Sequence, residues 1–116
     1  MLKSAAKDRT RTDVQHVNGG EGFITREELI TPEQRGAHCR MFNRITLQPG
    51  CEIGYHEHHG EAEAYYILTG KGLYVEDGVE IEVEAGDVTY CSSGHAHGLK
   101  NTGDEELAMI ALILMD

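Results

Sequence analysis

Residues Gly50–Gly70 read GCEIGYHEHHGEAEAYYILTG, and within eight of them fall three histidines, His56, His58 and His59, and three glutamates, Glu57, Glu61 and Glu63. Such a stretch is either a solvated turn between two strands or a set of side chains converging on a metal. Spacing separates the two. His56 and His58 stand at i and i+2, which on an extended strand places both on one side. Glu63 opens the following strand, so a hairpin return brings it beside the pair, with Tyr65 and Ile67 on its face. Gly50 and Gly70 bracket the unit as turn residues.

A second cluster follows at Gly86–Asn101, GDVTYCSSGHAHGLKN. It offers one more strand-borne histidine, His97, and a glycine turn at Gly94 to place it. Three neutral imidazoles and one carboxylate are a donor set for a divalent transition metal. A six-coordinate ion would keep about two positions for water or a ligand.

The two stretches resemble the paired signature motifs of the cupin superfamily. The first family motif, G-x5-H-x-H-x3,4-E-x6-G, is matched at every fixed position by Gly50, His56, His58, Glu63 and Gly70. The second, G-x5-P-x-G-x2-H-x3-N, is matched by Gly86, Gly94, His97 and Asn101, with Ser92 where proline is usual. That departure touches a turn and no ligand. The resemblance spans residues 40–115. It implies an all-β double-stranded β-helix, the cupin jelly-roll barrel, holding one divalent transition metal per chain (iron, manganese, nickel, cobalt or zinc) on His56, His58, Glu63 and His97.

The rest of the sequence reads as strands. HCRMFNRITLQPG alternates through Cys39, Met41, Ile45 and Leu47 and stops at a Pro-Gly turn. GLYVEDGVEIEVEAGD is a hairpin turning at Asp77-Gly78, with Val79, Ile81 and Val83 alternating against a solvated row of Glu80, Glu82 and Glu84. The segment LAMIALILM is apolar at both parities, the pattern of a strand buried on both faces. Only REELITPEQ offers a helical turn. Short strands with a turn every eight to twelve residues point to a sandwich, jelly roll or barrel.

A chain of 116 residues is one domain with one core; a flexible N-terminal arm over 1–12 and a cupin domain over 13–116 are expected. Its formal charge is −10. Lys3, Lys7, Arg9 and Arg11 against Asp8 give the first eleven residues +3, so the other 105 carry −13. A body so acidic repels phosphate backbones and anionic membranes, so neither is an expected partner. No apolar run reaches the 18 residues or so of a membrane helix, and MLKSAAKDRTR lacks the apolar core of a secretory signal. Three widely spaced cysteines, Cys39, Cys51 and Cys91, are a poor disulfide framework and fit a reducing cytoplasm.

Two further residues are candidates for acid–base roles. Tyr65 follows Glu63 by two and so shares its face, and His95 precedes His97 by two and lies near the mouth. His59 is out of step with the histidine pair and faces solvent; Glu57 and Glu61 read as surface charges. Cys51 and Cys91 read as buried inert thiols. The fold leaves the function open. A metal-dependent enzyme on a small oxygen-rich metabolite (a dioxygenase, isomerase or lyase), a non-catalytic small-molecule or metal sensor, and a structural protein with a vestigial site all fit. The unpaired apolar side of LAMIALILM adds the expectation of a homodimer.

Overall fold

The computed structural model describes residues 2–116. Ten strands carry the chain: β1 (Arg11–Gln15), β2 (Phe23–Glu28), β3 (Cys39–Leu47), β4 (Glu52–Glu57), β5 (Glu61–Thr69), β6 (Lys71–Glu76), β7 (Val79–Glu84), β8 (Val88–Cys91), β9 (Ala96–Asn101) and β10 (Leu107–Met115). They form two antiparallel sheets, one in the order β1-β2-β3-β10-β5-β8 and one in the order β4-β9-β6-β7. The interleaved order, in which β10 sits between β3 and β5 while β9 sits between β4 and β6, is that of a jelly roll.

Period-two patterning decides which side chains meet between the sheets. Leu47, Ile67, Leu99, Leu107 and Met109 are all at 1% exposure or less and form the core with Tyr65 and Tyr74. Each such aliphatic side chain contributes about 1.5–3 kcal/mol by leaving water. The β6–β7 hairpin turns at Asp77 and Gly78, both at positive φ (49° and 81°), as an Asp-Gly turn of this kind requires. Of its expected inward row only Val83 is buried. Val79 and Ile81 are 59% and 53% exposed, because β7 is an edge strand.

Three expectations are corrected. The helical turn is confined to Pro32–Arg35, capped by Thr31 and Gln34, while the start of REELITPEQ belongs to β2. Arg11 and Thr12, expected in a loose arm, pair with Glu27 and Arg26 as the start of β1. The basic residues there answer a buried acid: Glu27 is 5% exposed, Arg9 Nε donates to it at 2.6 Å, and Arg11 Nε stands 3.3 Å away. Finally, β10 is buried fully only on its inner row. On its outer row Ala108 is buried, Ile110 and Leu112 are half-buried, and Leu114 is 42% exposed.

Candidate metal centre

The two sheets bring the four motif residues to one point. His56 and His97 face each other across the β4–β9 pair, and His58 lies just past the end of β4. Glu63 comes from β5 in the opposite sheet, paired with Cys91 and Ile113. The chain reaches His56 through Gly54, where an added Cβ would fall 2.1 Å from the Asn18 carbonyl oxygen, so no other residue fits the close approach there. The turn before β9 closes despite Ser92 standing in place of proline, since the His95 N–H donates to the Ser92 carbonyl at 3.1 Å.

One ligand atom from each of His56, His58, Glu63 and His97 lies within 4.8 Å of all the others. Glu63 Oε1 is 3.0 Å from His58 Nε2, 2.9 Å from His97 Nε2 and 3.5 Å from His56 Nε2, and the Nε2 atoms of His58 and His97 are 3.0 Å apart. Donors about 2.1 Å from one ion at right angles are about 3.0 Å apart, so the spacing fits a shared metal.

The hydrogen bonds behind the rings decide between a metal site and a polar cluster. His56 Nδ1 meets the Gly54 carbonyl oxygen at 2.7 Å, and a carbonyl only accepts. His58 Nδ1 meets Glu61 Oε2 at 2.7 Å. His97 Nδ1 meets the Tyr74 hydroxyl at 2.9 Å, while that hydroxyl donates to Glu76 Oε1 at 2.6 Å. A carboxylate has no proton to return, so the Tyr74 oxygen accepts from His97. All three rings therefore carry their proton on Nδ1 by the logic of their partners, and all three Nε2 lone pairs face inward. They meet one another and the Glu63 carboxylate with no proton between them. Facing lone pairs repel; a divalent cation among them removes the repulsion.

Burial of Glu63 opposes its ionisation; without a metal, imidazoles that take up a second proton on Nε2 donate to it and hold its carboxyl far below the ordinary carboxylate range. Glu61 is held low by the Arg40 guanidinium, which binds it through Nε and Nη2 at 2.7 Å each. Here the structure overturns the expectation of a surface charge: Glu61 is 9% exposed and orients His58. The signal was in the sequence, because Glu61 and Glu63 are two apart on one strand and must share a face. Arg40 offered no comparable signal.

Tyr65 is 1% exposed, stacks on His97 at a centroid distance of 5.0 Å and donates to Glu63 Oε1 at 3.1 Å. Burial pushes its hydroxyl well above the usual tyrosine value, so it is a fixed donor. His95 is not brought to the site. It pairs with Asp77 at the surface, outside the residues that line the cavity. His59 is exposed beside Glu57, at 3.2 Å. Cys91, with Glu76 and His97, forms a second group of potential ligands. Burial raises its thiol to about 11, and the His97 nitrogen on that side is the protonated one, so this group is the rear of the same site. Asn101 ends the second motif as a structural residue, donating to the Leu47 and Glu105 carbonyls at 2.9 and 2.8 Å.

The centre opens into a cavity of about 360 Å³, walled by Ile24, Met41, Ile45, Ile53 and Ile113, with Arg26, Arg40 and Glu57 among its polar residues. A larger groove of about 440 Å³ lies along the N-terminal segment and β2, and among the described residues no metal-ligand cluster faces it.

A family model described as Cupin domain matches residues 43–113, most of the chain and both halves of the site. The chain belongs to the cupin family. This cupin is 36% identical over 102 residues to an oxalate-binding protein of Thermotoga maritima, covering 88% of this chain and 84% of that one. Among solved structures it is similar to a predicted oxalate decarboxylase from Thermotoga maritima, with a TM-score of 0.95 and 33% identity over 99% of this chain and 100% of that chain. The cupin domain of Schizosaccharomyces pombe Cnp3 shares the fold at a TM-score of 0.73 and 14% identity, covering 94% of this chain and 88% of that one.

Proposed function

We propose that this cupin binds one divalent transition metal at His56, His58, Glu63 and His97 and holds a small dicarboxylate of the oxalate class on it. The observation that carries the reading is the set of three inward Nε2 lone pairs around an ionised Glu63 at the wall of a cavity. A divalent ion with one carboxylate ligand keeps a net positive charge, which an oxygen dianion satisfies. Arg26 lines the same cavity, and Arg40 there is paired with Glu61, so Arg26 is the cation left to meet an anionic ligand. The similarity to an oxalate-binding protein supports the same class.

Binding without turnover fits the residues best. Decarboxylation leaves a carbanion-like carbon that needs a proton donor beside it. Of the cavity's carboxyl groups, Glu63 is a ligand and Glu61 is held by Arg40 and His58, which leaves only Glu57 at the exposed rim. Titration of metal-loaded protein with oxalate is expected to show one site per chain, and chelator-stripped protein none. Formate released over many turnovers would replace this reading with a decarboxylase. Equal binding with and without metal would refute it.

A homodimer is part of the same proposal. Tyr66, Val88 and Tyr90 are 49%, 66% and 57% exposed on the outer face of the six-stranded sheet, beside the half-buried Ile110 and Leu112. A contiguous apolar face of this kind calls for cover, and a second copy supplies it with two-fold symmetry. Light scattering at micromolar concentration should return twice the 12.8 kDa chain mass. Tyr90→Glu should return the monomer, and a monomeric wild-type protein would refute the dimer.

A further inference from the structure

The inward row of β3 runs Cys39, Met41, Asn43, Ile45, Leu47, and Asn43 is its one amide. The side chain is 4% exposed and lines the cavity that the metal centre opens into. Its Oδ1 is buried and has no hydrogen-bond partner among the described residues. Asn101, equally buried, uses both ends of its amide on backbone groups. An unpartnered buried amide oxygen is a cost to the fold, and a leucine or isoleucine would extend the aliphatic wall made by its neighbours on either side. Ala111 stands opposite Asn43 on β10, a small residue that leaves the amide room.

We infer that Asn43 is a specificity-determining residue whose amide hydrogen-bonds the end of the ligand that is turned away from the metal. This rests on the proposed binding of a dicarboxylate at that centre and adds what the metal alone cannot supply. Two open positions on the metal already favour chelating oxalate over acetate, but the metal does not read the ligand's outer oxygens. An amide in the wall distinguishes a ligand with further oxygens from one that presents a methyl group. The amide offers two donors and one acceptor and can turn over, so the same position serves a second carboxylate by presenting N–H and a hydroxyl by presenting its oxygen. Leaving a ligand oxygen unpaired against the aliphatic wall is penalised, which is how buried polar groups enforce selection.

Asn43→Leu tests this with three readouts on metal-loaded protein. Oxalate affinity should fall about tenfold or more, in line with loss of one hydrogen bond to a charged group. Acetate affinity should change less than twofold. The ligand-free melting temperature should stay level or rise, since an orphan amide oxygen has been replaced by a side chain suited to the wall. A drop in melting temperature with unchanged oxalate affinity would overturn the inference and make Asn43 a structural residue. Equal losses for oxalate and acetate would also overturn it, by placing the defect at the metal. Wild-type protein that binds metal but no dicarboxylate would defeat the proposed function itself, while wild-type binding retained in the variant defeats only the role of Asn43.

Discussion

Glu63→Gln and His97→Ala are each expected to strip most of the metal from the protein and with it most of the thermal stability that metal confers. The gain at stake is large. A ligand present at a thousand times its dissociation constant stabilises the folded state by about 4.1 kcal/mol. For a chain of 116 residues a kilocalorie moves the melting point by about 4 °C, so metal loading should raise it by roughly 15 °C. Glutamine keeps the shape of Glu63 but removes the charge that balances the ion. Alanine at 97 removes a candidate ligand that is fully buried. His59→Ala is the control, because that ring is 73% exposed and faces Glu57. Metal analysis and paired melts with and without chelator read the result. Full metal content in both site variants would mean the ion binds elsewhere.

The same centre should release its metal in acid, and earlier than an ordinary histidine suggests. In the metal-free protein the contact with Glu63, helped by Glu61, raises the affinity of His58 for a proton above that of an ordinary histidine. A group whose affinity for protons is raised takes them up at higher pH. Protons therefore begin to compete with metal at a pH above the ordinary histidine range, where Glu63 stays ionised.

The convergence of the candidate ligands was legible because its information is local. Two histidines two apart, a glutamate five residues beyond and a histidine before the last strand need only strand periodicity and a hairpin to converge. The jelly roll followed from the same periodicity. What could not be read depends on which strands become neighbours. Arg40 reaches Glu61 across the pairing of β10 with both β3 and β5, a non-local arrangement that no spacing encodes. His95 looked like a site residue because it shares parity with His97, but it lies before the strand begins, where the turn swings it out to Asp77. Val79 and Ile81 alternate correctly and are exposed all the same, because alternation marks a face and does not say whether another sheet covers it. Glu61 is the instructive miss: its position on the ligand face was readable, and only its charge argued for the surface.

Glu61→Gln should weaken metal binding by about ten- to a hundredfold, the usual loss when the group behind a ligating histidine is changed. The carboxylate does two things for His58. It fixes the proton on Nδ1, and its charge makes Nε2 a stronger donor to the ion. Glutamine can still accept from Nδ1 through its oxygen, so the ring stays oriented and the loss measures the charge. Arg40 then provides a test of sign. Its guanidinium draws charge away from Glu61, holding that carboxyl low while withholding part of its electron density from His58. Arg40→Met removes this draw and keeps the length of the side chain, which is 54% exposed and adapts to the change. Metal affinity should therefore hold or tighten in Arg40→Met, while it falls in Glu61→Gln. Competition with a chromogenic chelator measures both. If the two variants weaken the site alike, the ion pair is acting as a clamp on the loop that carries His58, and the electronic role of Glu61 is refuted.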